Sequence, residues 1–237
     1  MNEPSAIRFF HVWDTYARVV GGNYMFHQEL GVAIRAALSD HFRKRPFSLL
    51  DLGCGDAATL APVLQDFSVK HYRGADLSEA ALAVARHNLS ELGCPVDLHH
   101  ADMCDELAAL TTPVDVIYSS YALHHLPLLG KAAFFRAAAQ KLAPDGVMLL
   151  VDVVREEDQP LDVYHNAYTS WLRASMTALA ASEHDAICEH IVHNDFPEPW
   201  SVLEALATAA GLRMVSVTTP SASAGAASRM NNHCQPR

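Results

Sequence analysis

Between residues 47 and 154 the chain alternates between two spacings of apolar residues. Phe47-Ser48-Leu49-Leu50-Asp51-Leu52 is a short, nearly continuous apolar run, as a parallel strand covered on both faces requires, and helical spacing takes over soon after it. The same reading places strands at 71–76, 96–100, 114–119 and 147–154, and helices at 57–67, 78–92 and 131–142. Pro62 belongs in the opening turns of the first helix, and Ser78 caps the second with Glu79 in its first turn. Gly93 ends that helix, and Pro144-Asp145-Gly146 stops the third. Strands alternating with helices predict βαβ units with right-handed crossovers, hence a Rossmann-like, doubly wound α/β fold on a mostly parallel sheet.

The flanks read differently. Ile7, Phe10, Val12, Trp13 and Tyr16 share one helical face, Gly21-Gly22 interrupts it, and Leu30, Ile34 and Leu38 resume it. After residue 155 the alternation stops, and 160–192 read as one or two helices rich in Tyr, His and Ala, followed by a helix at 200–210 and a strand at 212–217. The expected organisation is an N-terminal helical block (1–44), a main domain (45–218) with a helical insertion at about 156–198 after the fifth strand, and a disordered tail (219–237).

Composition narrows the function. The 237 residues, half of them apolar, suffice for one core without disulfides. A net charge of −10 argues against nucleic acid, which needs Lys and Arg to displace its counterions. No apolar run approaches the ~20 residues of a membrane span, and Met1-Asn2-Glu3-Pro4-Ser5 has neither the basic nor the apolar segment of a secretion signal. Five cysteines without a CxxC pair fit reduced thiols in a cytoplasmic protein. His184, Cys188, His190 and His193 have spacings that permit ligation, but no confirming pair accompanies them, so no metal is expected. The expected partner is a small molecule, with no nucleic acid and no membrane.

The richest chemistry follows the first strand. In Asp51-Leu52-Gly53-Cys54-Gly55-Asp56-Ala57 the strand ends in two closely spaced glycines, where missing Cβ atoms permit a sharp turn and close approach of a ligand. Alone, this turn suits any Rossmann-type nucleotide site. Asp76 ends the second strand, where a carboxylate accepts both ribose hydroxyls of an adenosine, and Asp102 ends the third, where it can accept from an adenine amino group while Met103 packs on the ring. Either acid can instead cap the helix that follows it.

With these residues in place, the sequence resembles the class I S-adenosylmethionine-dependent methyltransferases over about residues 45–218. The resemblance rests on Asp51-Leu52-Gly53-Cys54-Gly55, on Asp76-Leu77, on Asp102-Met103, and on Asp115-Val116-Ile117-Tyr118-Ser119-Ser120 followed by Tyr121-Ala122-Leu123-His124-His125-Leu126. It implies S-adenosylmethionine as cofactor, bound across the ends of strands one to four, with Asp51 near its amino group and Ser119 among the contacts. It further implies that His124 and His125 face the methyl group, as candidate general bases or as walls of the pocket. The two flanking blocks become a lid over the acceptor, with Tyr16 directed at the methionine carboxylate and Tyr24, His27, Tyr121, Tyr164, Tyr168 and His193 as candidate acceptor contacts. Those polar-tipped aromatics favour an aromatic or heterocyclic metabolite methylated on O, N or S. Ala57 stands where the family commonly has a third glycine, and residues 221–237 offer little aliphatic material for the family's seventh strand. A nicotinamide-dependent oxidoreductase using the same turn, or a non-catalytic cofactor-binding module, are the alternatives.

Overall fold

The computed structural model describes residues 18–19, 21–217 and 232–236. Its centre is a parallel sheet of β1 (Phe47–Leu52), β2 (Val69–Asp76), β3 (Val96–His100), β4 (Val114–Ser120) and β5 (Leu142–Val151). β6 (Leu212–Val217) and β7 (Asn232–Pro236) complete the spatial order β3-β2-β1-β4-β5-β7-β6, with β7 antiparallel to both neighbours. The chain winds one way from β1 to β3 and the other way through β4 and β5. The crevice between the ends of β1 and β4 is therefore a topological switch point, where open α/β sheets bind ligands.

Period-two alternation sends the strand side chains to two cores. Leu49, Val116, Tyr118, Val147, Leu149 and Val151 face one way, packing with α1 (His27–Phe42) through Leu30, Ile34 and Leu38, and with α2 (Ala61–Leu64). Leu50, Leu52, Ile117, Met148 and Leu150 face the other way, with α4 (Met103–Ala109), α5 (Leu128–Lys141) and α8 (Trp200–Ala209). α3 (Glu79–Asn88) begins at Ser78, whose side chain accepts from the Ala81 amide, as its sequence position predicts. Two further helices, α6 (Leu161–Ser175) and α7 (Ala181–Asn194), form a smaller third core with Val19.

Three expectations change. The helix predicted at 57–67 shortens to the single turn of α2, because Ala57 takes a left-handed φ of 56° and Pro62 sits at the start of the turn. β5 starts at Leu142, ahead of Pro144-Asp145-Gly146, and the ladder with β4 absorbs those residues through a register shift between Val114 and Val116. The tail expected to be disordered supplies β7, whose backbone pairs with both β5 and β6. A strand held between two neighbours needs backbone hydrogen bonds more than aliphatic side chains, so its polar sequence concealed it.

Candidate functional site

β1 delivers Asp51 into the crevice almost completely buried. The Tyr72 hydroxyl, from β2, donates to its Oδ2 at 2.6 Å, while Oδ1 is buried with no hydrogen-bond partner. Burial pushes Asp51 up to about 7; the Tyr72 hydroxyl lowers it and the nearby Asp76 raises it. A buried carboxylate oxygen with no donor is costly in a folded chain, and it is the group a ligand cation would satisfy.

The chain then turns through Gly53 and Gly55, at φ 73° and 53°. A Cβ on Gly53 would lie 2.5 Å from Cβ of Ala122, so the turn fits closely against the residue that leads into His124. The Gly53 and Cys54 amides both donate to the Ala75 carbonyl at 2.9 and 3.0 Å, fixing the turn to the end of β2. Asp76 takes the Gly55 amide on Oδ2 and the Ser78 amide on Oδ1, each at 2.8 Å, so it organises both the glycine turn and the start of α3. Leu77 next to it is two-thirds exposed. At the end of β3, Asp102 caps α4 through Oδ1, which accepts from Cys104 at 2.7 Å, and Met103 lies half-buried at the cap.

Other residues of these motifs have their partners within the protein. Ser119 is fully buried and donates to the Leu52 carbonyl at 3.0 Å, joining β4 to β1. The buried Cys54 thiol is pushed up, first by burial and then by Asp51 and Asp76, which keeps it inert. Asp115 lies at the start of β4, at the opposite end of the strands from the crevice, accepting from the Ser48 amide and from Lys70.

On the other side of the crevice the Leu123–His125 3-10 turn follows β4 and presents two histidines. His124 is buried between Asp152 and Asp195: its Nδ1 lies 2.5 Å from Asp152 Oδ1, and its Nε2 lies 3.7 Å from Asp195 Oδ2. Burial lowers His124, yet the two carboxylates outweigh it and its pKa is raised overall. His125 is half-exposed, with Nδ1 3.2 Å from both Asp195 Oδ1 and the Asn194 carbonyl. Asp195 is held in turn by His165, whose Nε2 bonds its carbonyl at 3.0 Å. Lys131, buried in α5, donates to the carbonyls of Leu126 and Phe196 and so pins the 195–197 segment over the 3-10 turn.

His165 is one of the polar-tipped residues that the sequence offers in the inserted block, whereas Asp152, Lys131 and Asp195 were not singled out. Asp152 was the most legible of these three, since it directly follows β5 at the same end of the strands as Asp51 and Asp76; Asp195 lies in a connection with no such marker.

The lid residues divide. His27, at the start of α1, is buried with Nδ1 3.0 Å from Thr59 Oγ1; burial lowers its pKa to about 4, and its Nε2 has no hydrogen-bond partner. Tyr121, at a left-handed φ of 52°, donates its hydroxyl to the Met25 carbonyl and meets the His27 ring edge-on at 5.6 Å. Tyr24 packs against the third core. Tyr164, Tyr168 and Trp171 form a continuous stack, with centroids 5.6 and 5.7 Å apart. His193 is not brought to the site: it lies on the exposed face of α7, its Nδ1 bonded to the carbonyl of Glu189 one turn back. His190 approaches the site instead, with Nε2 3.9 Å from Asp195 Oδ1. Tyr16 lies outside the described residues.

Residues 49–146 match the family described as a methyltransferase domain. A ubiquinone biosynthesis O-methyltransferase of Aromatoleum aromaticum is 34% identical over 107 residues, 45% of this chain and 44% of that protein. A trans-aconitate 2-methyltransferase of Acidovorax sp. (strain JS42) is 36% identical over 115 residues, 48% of this chain and 41% of its own. The chain thus spans less than half the length of these curated relatives. Among solved structures, a magnesium protoporphyrin IX methyltransferase from Synechocystis PCC 6803 with bound SAH superposes with a TM-score of 0.60 at 16% identity, covering 88% of this chain and 83% of that one. The match runs from β1 to the middle of β5 and contains the glycine turn, Asp76 and Asp102. Residues 49–146 thus carry a methyltransferase domain, and the sheet order and crevice are similar to those of the class I S-adenosylmethionine-dependent methyltransferases.

Proposed function

We propose that this chain transfers a methyl group from S-adenosylmethionine to an oxygen, nitrogen or sulfur atom of a small, aromatic or heterocyclic metabolite. The observation that carries the reading is the buried, unpartnered Oδ1 of Asp51 beside a two-glycine turn. That oxygen suits the amino group of the cofactor's methionine portion, and the turn leaves room for its chain. Asp76, already fixed by two amides, offers its remaining lone pairs to the ribose hydroxyls, while Asp102 and Met103 flank the adenine with Leu77 nearby. The cofactor supplies a methyl group on a sulfonium, displaced in line by the acceptor. The protein's task is therefore alignment and exclusion of water.

On the acceptor side, the polar wall is His124 and His125, and activation of an acceptor that must lose a proton falls to this pair. The carboxylates around His124 strengthen it as a base. His27, kept neutral by burial, and Tyr121 close the wall toward α1, and the Tyr164–Tyr168–Trp171 stack provides the aromatic surface of the lid. We assign the protein to a reducing, cytoplasmic setting on the strength of its cysteines. No helix of the described residues is long and apolar enough to cross a membrane.

The test is calorimetric titration with S-adenosylmethionine and with NAD in parallel. Binding of the sulfonium alone is expected, and Asp76→Ala should weaken it by more than about 1.5 kcal/mol through loss of charge-assisted hydrogen bonds. Tight NAD binding with no response to S-adenosylmethionine would overturn the reading. Incubation of a metabolite pool with labelled cofactor then names the acceptor.

A further inference from the structure

We propose that His124, His125 and Asp195 form a binding site for a divalent transition-metal ion, with His190 at its open side. Among the described residues, one ligand atom from each of the three can be chosen so that all lie within 4.8 Å of one another. The separations from the Asp195 carboxylate are shorter than that bound, with His124 on Oδ2 and His125 on Oδ1. His125 Nδ1 is 3.2 Å and His124 Nε2 3.7 Å from the Asp195 carboxylate, and His190 Nε2 is 3.9 Å from the same oxygen as His125. Metal–ligand bonds of ~2.1 Å in tetrahedral array set ligand atoms about 3.4 Å apart, so small side-chain adjustments close the shell.

Three independent features favour an ion over a simple ion-pair network. Asp195 Oδ1 is buried and takes no well-aligned hydrogen bond, although two imidazoles border it. The pocket also buries two carboxylates, Asp152 and Asp195, against one ammonium, Lys131, so it favours a second positive charge, which an ion would supply in place of a proton on His124. Finally, His124 already carries the outer support that metal-binding imidazoles show: Nδ1 is held by the Asp152 carboxylate, which turns Nε2 toward Asp195. An ion at His125 Nδ1 would replace that atom's contact with the Asn194 carbonyl. Two imidazoles and a carboxylate suit zinc, iron(II) or cobalt(II) rather than magnesium or calcium. The 3-10 turn lies against the glycine turn through Ala122; with an ion bound, His124 and His125 would serve as ligands and not as bases, and the vacant coordination position would be filled by water or by a hydroxyl or carboxylate oxygen of the acceptor.

The candidate ligands singled out in α7 from sequence do not gather. His184 bonds the Met176 carbonyl, Cys188 is buried in the third core, and His193 bonds its own helix. His190 alone of that set turns toward the new site.

The probe is cobalt(II) alone, added to the full chain freed of metal, with visible absorption as the readout. One equivalent per chain with d–d bands is expected. His125→Ala, Asp195→Asn and Asp152→Asn should each weaken binding at least about tenfold, while His87→Ala, on the exposed surface of α3, should not change it. His125 is half-exposed, so its variant keeps the test informative where the buried Asp195→Asn fails to fold. Absence of the bands, or binding that survives both His125→Ala and Asp195→Asn, overturns the proposal. Because no cofactor is present, these outcomes are separate from the S-adenosylmethionine titration: the metal site can fail while methyl transfer stands, and the reverse.

Discussion

Asp51 shows how much a single residue can set. Its pKa near 7 means that the folded, ligand-free protein holds a proton that the unfolded chain gives up in the ordinary carboxylate range, near 4. Its contribution to stability is therefore full below about 4 and lost as the pH rises to about 7. An ammonium group placed against Oδ1 reverses the preference and favours the carboxylate, so ligand binding must expel that proton. Affinity for S-adenosylmethionine should then be level above pH 7 and fall by up to about tenfold per pH unit below it. Calorimetry from pH 8 to pH 5.5 reads the effect, and Asp51→Asn should abolish the slope; a level profile in the unmodified protein would remove Asp51 from the amino-group role. The identity of Asp51, Asp76 and Asp102 as strand-end acids was legible in the sequence because each follows an apolar run. Their protein partners were not. Nothing in the spacing told that Tyr72 occupies one oxygen of Asp51, or that Asp76 would bond Gly55 and Ser78 at once.

At the scale of elements, the glycine turn is where backbone geometry and chemistry meet. Gly53 has a φ of 73°, unfavourable for any L side chain, and its added Cβ would collide with Ala122 at 2.5 Å. Left-handed backbone costs an alanine roughly 1–2 kcal/mol, and overpacking typically adds 1–3 kcal/mol. Gly53→Ala should thus lower unfolding free energy by about 2 kcal/mol or more in chemical denaturation. It should also push the 3-10 turn of His124 and His125 away from β1, weakening cofactor binding more than the stability change alone would. If the variant matches the parent protein in both measurements, the close fit between the two turns is not a constraint. The strands and the turn could be read from sequence because local patterning determines them. The shortened α2 could not, since its loss depends on Ala57 adopting a glycine-like φ within a tertiary turn. The Asp195 connection was equally hidden: its place is set by Lys131 and His165, both distant in sequence.

The described residues form two large cores on the faces of one sheet and a third, smaller one built by α6, α7 and Val19. Among the described residues, the third core meets the sheet domain through the segment after α7: the Phe196 amide donates to the His124 carbonyl, Lys131 donates to the Phe196 carbonyl, and His125 reaches the Asn194 carbonyl. A cluster with its own packing, tied at one segment by such contacts, should open as a unit before the sheet does. Met176 is buried at its centre, and truncating a buried methionine costs about 2–5 kcal/mol. Met176→Ala should therefore speed hydrogen exchange of the α6 and α7 amides while leaving those of β1 and β4 as protected as before. Equal acceleration in β1 would mean that the three cores unfold together, and the helical insertion would then be part of the scaffold. Selective acceleration fits a cover that moves on its own, and adding S-adenosylhomocysteine should not restore it, because the contacts proposed for the cofactor lie on the glycine turn and strand ends.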